Sequence, residues 1–122
     1  HVFRRRQRQM CIRDRFILGE EQLTKILKSS SILALPDLSV VGEAGVVKLV
    51  VSDRKNDTSN DFAVVVGQTD KTFSFNFKIE NIKLIPGTYQ VSISSKNLAK
   101  FYNTAYRLTY FIALEPDSNY DG

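Results

Sequence analysis

From residue 16 onward, the apolar positions fall into two kinds of run. Phe16, Ile17 and Leu18 form an apolar strand stub. After Gly19, Leu23, Ile26 and Leu27 recur at i, i+3 and i+4, which makes one face of a helix. Glu20 and Glu21 stand in its first turn, where acids suit the helix dipole. The spacing predicts a helix over 20–29. Lys25 and Lys28 fall near its C-terminal end, Ser29, Ser30 and Ser31 close it, and a loop with Pro36 follows. From Leu38 the period drops to two, and strands are expected over 38–41, 46–52 and 62–66. Residues 43–45 and 67–70 read as turns, and the run DRKNDTSND at 53–61 has no apolar residue and reads as a solvated loop.

The last third repeats this order. Residues 73–79 read as a strand, Ile82, Lys83, Leu84 and Ile85 as a one-turn apolar helix, and Pro86-Gly87 as a break. Strands over 89–95, 99–106 and 108–114 follow. The order strand, helix, three strands therefore occurs twice, at about sixty residues each, in element order but not in residue identity. The fold class expected is α+β. Two such units side by side place sheets outside and two short helices together on one face.

Length bounds this reading: 122 residues make one domain with a modest single core. A hydrophobic fraction of 43% is ordinary for a globular chain, and no apolar run nears the ~20 residues of a membrane span. The formal net charge of +4 is unevenly placed. Residues 1–15 hold six Arg and one Asp, net +5, while the other 107 hold eleven Lys and Arg against twelve Asp and Glu, net −1. An Arg-rich arm suits phosphate neutralisation or a localisation signal. The text RRRQRQMCIRD, however, resembles translated sequencing adaptor. Residues 1–15 are therefore expected to be a disordered, non-native leader, and 16–122 the domain. Met10 and Cys11 fall within that leader, and one Cys makes no internal disulfide.

Phe73, Phe75-Asn76-Phe77, Asn81, Pro86-Gly87, Tyr89, Ala113-Leu114-Glu115 and Asp117-Ser118 form a spaced set over about fifty residues. In that set the chain resembles the C-terminal domain of the sliding clamps of T-even-type bacteriophages, rings that tether the replicative DNA polymerase. A weaker match runs back to about Phe16, so the resemblance covers about one clamp domain. It implies the DNA-clamp fold, and a subunit fragment that encircles duplex DNA as part of a ring and confers processivity. It also implies a homotrimer when full length, an ATP-driven clamp loader, the phage polymerase's C-terminal peptide as partner, and the host bacterial cytoplasm as location. The chain would be the second of two clamp domains, displaying one joining edge but not a whole ring.

A ring that slides cannot read bases. It needs mobile cations near phosphates, without sequence preference. By the resemblance, the DNA-facing candidates are Lys25, Lys28, Lys83 and Lys78, with Lys100 weaker. From charge alone the case is poor: the body is net −1, and lysines at a helix C-terminus are favoured anyway. The resemblance also implies an apolar pocket for the partner peptide beside the last strand, which maps to Leu98, Ala113, Leu114 and Pro116. Ile32, Leu33 and Leu35 have less support. Pro116 departs from the family pattern and removes a backbone donor. The plainer reading is that Leu114 is core and Pro116 only ends a strand.

Catalytic chemistry has little to work with. The one His is His1, in the leader, and no phosphate-cradling glycine loop or metal-ligand spacing occurs. Asp53, Asp57 and Asp61 lack the ligand positions and glycine of a calcium loop. The chain is expected to be no enzyme, with no metal, cofactor or membrane partner. The alternative to a clamp is a non-enzymatic β-rich interaction or virion-structural module.

Overall fold

The apolar runs make nine strands and one α-helix among the described residues. The computed structural model describes residues 12–55 and 61–120, so His1, Met10, Cys11 and Asp57 lie outside the described residues. Strand β1 (Ile12–Leu18) leads into helix α1 (Glu20–Leu33). Strands β2 (Asp37–Glu43), β3 (Val46–Ser52), β4 (Phe62–Gln68) and β5 (Phe73–Lys78) follow, then a 3-10 turn (Ile79–Asn81). Strands β6 (Tyr89–Ser94), β7 (Leu98–Asn103), β8 (Leu108–Ala113) and the two-residue β9 (Asn119–Tyr120) complete the order.

Two antiparallel sheets share one core. One has the order β1-β6-β7-β8, the other β4-β3-β2-β5-β9. Alternation in β3 buries Val47, Leu49 and Val51, and in β5 it buries Phe73, Phe75 and Phe77. These meet Phe16, Leu18, Tyr89, Val91, Ile93 and Phe101 of the first sheet in a single cluster. The hairpin between β2 and β3 turns through Ala44 and Gly45, both at positive φ, the conformation a two-residue hairpin favours. Gly42 of β2 faces the Phe73 ring, where an added Cβ would stand 2.5 Å from a ring carbon.

Helix α1 buries Leu23 and Ile26 as the spacing requires, and it lies against β3 and β4. It starts on Gly19, whose N–H donates to the Gln22 side chain at 2.9 Å. It runs past the expected end at residue 29 to Leu33. The three serines did not stop it, because Ser30 is buried and its hydroxyl donates to the Leu35 carbonyl at 2.9 Å. The stop is Ala34, in left-handed geometry at φ 54.

Three expectations change. The strand stub at 16–18 extends back to Ile12, so Ile12, Asp14 and Arg15 of the expected leader pair with β6. The second short helix is absent: residues 82–85 are irregular, and only the 3-10 turn precedes them. Four residues, three of them apolar, are too few to nucleate a helix, and Pro86 disfavours helical geometry at Ile85. Nor do two units lie side by side. The lead strand β1 joins β6-β7-β8, and β5 joins β2-β3-β4, so each half places its first strand in the other's sheet.

Candidate clamp surfaces and the C-terminal strap

On α1, Lys25 and Lys28 are exposed, three residues apart, and turned away from buried Leu23 and Ile26. Because the helix continues to Leu33, its last turn holds no basic residue. Dipole stabilisation at a helix end therefore does not explain these two lysines. Lys83 is also exposed, on the irregular stretch between the 3-10 turn and β6. That stretch docks beside the start of α1, where the Glu20 N–H donates to Thr88 Oγ1 at 3.3 Å. An open hollow of about 830 Å³ lies there, lined by residues including Gly19, Glu21, Lys25 and Thr88.

Lys78 stands apart from these. Its Nζ donates to Asp37 Oδ1 at 2.9 Å, and Asp37 is 1% exposed. Burial works to raise the Asp37 carboxyl, but the Arg54 N–H and the Lys78 and Arg54 charges outweigh it, so it lies below the usual carboxylate value. The same bond raises Lys78 above the ordinary lysine value. A lysine held on a buried carboxylate is not the mobile cation that a sliding contact requires, and Lys78 leaves the set of DNA-facing candidates.

The residues expected to form a peptide pocket gather at one end of the first sheet. Leu98 and Ala113 are cross-strand partners of β7 and β8. Leu98 is half-buried, and Ala113 and Pro116 are exposed. Leu114 is 7% exposed and belongs to the core, so it presents little of itself to a partner. Ile32 and Leu33 are exposed at the end of α1, whereas Leu35 is core.

Beyond Ala113 the chain does something the hydrophobic pattern did not foresee. It leaves the first sheet and straps across the second. The Leu114 N–H donates to Asn97 O at 2.9 Å, and the Glu115 N–H donates to Asn76 O at 2.7 Å. The Asn76 N–H donates to Ser118 Oγ at 2.8 Å, and Asn76 Nδ2 donates to Asp117 Oδ1 at 3.3 Å. Ser39 Oγ donates to Asn76 Oδ1 at 2.6 Å. Asp117 pairs with the Arg54 guanidinium. Burial tends to raise the Asp117 carboxyl, but the Arg54 hydrogen bond and charge carry it below its ordinary value. Finally, β9 pairs with Phe73 and Ser74, and Tyr120 stacks near Phe73 and Phe75. Sequence reasoning assigned no role to Asn76 or Arg54. A polar residue between two phenylalanines of a buried strand was the available signal.

A domain of two antiparallel sheets, one helix carrying paired outward lysines and a strapped C-terminus is the frame in which the comparisons with known proteins fall. The family model described as gp45 sliding clamp, C terminal, matches residues 15–116. The sliding clamp of Vibrio phage KVP40 is 34% identical over 104 residues, which cover 82% of this chain and 46% of that protein. This chain belongs to the phage sliding clamp family, in the part that forms the C-terminal domain. It spans about half the length of the curated relative it matches.

Proposed function

We propose that this chain is the C-terminal half of a clamp subunit that closes, as a homotrimer, around duplex DNA and tethers the phage DNA polymerase during replication in the infected cell. The family match over residues 15–116 carries this reading, and it leaves a generic β-rich or virion-structural module without support of its own. Processivity by tethering asks for no catalytic group. In this reading α1 faces the duplex, and Lys25 and Lys28 neutralise phosphates without reading bases, with Lys83 beside them. Among the described residues, no helix is long and apolar enough to cross a membrane.

The partner side is the end of the first sheet. Leu98, Ala113 and Pro116 offer an apolar surface to a peptide from the polymerase C-terminus, with Leu114 packed beneath as its floor. An ATP-driven loader would open the ring to place it on DNA. The test is a titration of the full-length subunit with a fluorescent peptide from the same phage's polymerase C-terminus. Ala113→Glu puts a charge on an exposed strand position and spares the core. Saturable binding that Ala113→Glu weakens by about tenfold or more supports the reading. Equal binding by both proteins removes the pocket from this end of the sheet.

A further inference from the structure

The residues whose spacing carries the family resemblance include Asn76, Glu115, Asp117 and Ser118, which lie about forty positions apart in sequence. Folded, they bond to one another. Asn76 donates its backbone N–H to Ser118 Oγ, accepts the Glu115 N–H on its carbonyl, and reaches Asp117 through Nδ2. Its Oδ1 accepts from Ser39 Oγ on the neighbouring strand, and Asn76 is 5% exposed. Each end of the side-chain amide is therefore occupied, one on the sheet and one on the strap. The strap begins at Leu114 and Pro116, two of the residues proposed to form the peptide pocket.

The geometry points to Asn76 as a positioning residue for partner-peptide binding: it touches no peptide, but its amide holds the strap in the position that shapes the pocket. This rests on the pocket reading above. The strap's other holds differ in kind. Asp117 is largely exposed and pairs with a half-exposed arginine, and such pairs contribute little in water. The β9 pairing spans only two residues. The Glu115 N–H and Ser118 Oγ also bond the Asn76 main chain, and the buried amide adds a side-chain link from Asp117 to Ser39 of the second sheet, where burial makes an unmatched donor or acceptor costly.

The test uses the full-length subunit, the fluorescent polymerase peptide, and amide hydrogen exchange at Glu115 and Ser118. Asn76→Asp keeps the shape and the acceptor for Ser39, but it removes the Nδ2 donor and sets a carboxylate against Asp117. It is expected to weaken the peptide about tenfold and speed exchange at Glu115, while exchange at Val91 and Phe101 in the first sheet stays unchanged. Adding Asp117→Asn restores a donor–acceptor pair and is expected to recover affinity to within about threefold of wild type. A general loss of packing would instead speed exchange at Val91 and Phe101 together with Glu115 and give the double variant nothing to rescue.

Wild-type affinity in Asn76→Asp, with Ala113→Glu still disrupting the peptide, overturns the positioning role and keeps the pocket. Wild-type affinity in Ala113→Glu overturns both. If Asn76→Asp fails to fold, Asp117→Ala removes the Oδ1 acceptor of Asn76 Nδ2, with Arg54→Ala as the control for the lost ion pair. It decides on the same two readouts: faster exchange with weaker binding, absent from the control, supports the role, and any other combination refutes it.

Discussion

The two halves of the domain solve one connection in two ways. In the first, β1 reaches β2 through the fourteen-residue helix α1. In the second, β5 reaches β6 through a three-residue 3-10 turn and an irregular stretch ending in Pro86-Gly87. Both routes must carry the chain from one sheet to the other, because each lead strand pairs in the opposite half's sheet. The first route has no Pro or Gly from Glu20 to Leu35 and a clean apolar face, so it can be helical. The second has one apolar turn and a proline, and it stays open. The same position in the element order thus yields one helical outward face and one irregular link, and both carry exposed lysines.

The largest expected effect lies in how the two routes are anchored. Ile26 is fully buried under α1, and Ile26→Ala should lower the unfolding free energy by about 3 kcal/mol. Leu84, partly buried in the open route, should cost about 1 kcal/mol as Leu84→Ala. Urea unfolding of the two variants measures both. Equal losses would mean that the open route is as firmly packed as the helix.

The next effect concerns the fastening between the routes. Asp37 opens β2 just after the first route, Lys78 closes β5 just before the second, and they face each other in register. A carboxyl lowered on folding stabilises the fold above its unfolded value, about 3.9, and that contribution disappears as pH falls through the lower folded value. A lysine raised on folding contributes below about 10.4, and its contribution disappears as pH rises through the folded value. Thermal stability against pH should therefore show a plateau with an acid and an alkaline shoulder. Asp37→Asn should lower the plateau by about 2 kcal/mol and flatten both shoulders. Unchanged shoulders would place the titration elsewhere.

The smallest effect sharpens the contrast most cleanly, since it changes only backbone preference at two exposed lysines. Lys28→Gly, inside the helix, should cost about 1 kcal/mol, whereas Lys83→Gly, in the open route, should cost about a quarter of that. Comparable costs would indicate helical structure in the second route after all.

Much of this was legible from period alone. Alternation placed β3, β5, β6, β7 and β8 within a few residues of their ends, and the i, i+3, i+4 spacing placed α1 on its buried face. The helix end was misplaced because Ser30 reads as a breaker, yet its hydroxyl found Leu35. Residue 106 overshot the end of β7 because the chain turns at Asn103, whose Oδ1 accepts the N–H groups of Ala105 and Tyr106. Of the proposed site, Lys25 and Lys28 stand outward as the helical period requires. The engagement of Lys78 could not be read, because Asp37 is 41 residues away in sequence.

By itself, then, the sequence determined what neighbours along the chain can settle: the principal strands, the one long helix though not the absence of a second, which of their side chains face inward, and which known family it resembles. Those follow from local geometry, where 2 and 3.6 residues per turn map directly onto the order of residues. Only the tertiary structure decided which sheet each lead strand joins, that Lys78 is committed to a buried carboxylate, and that the chain's end is strapped to Asn76. Such outcomes depend on which distant groups share a low-dielectric interior. There each polar atom must find a partner, and that partner is set by where the whole chain packs.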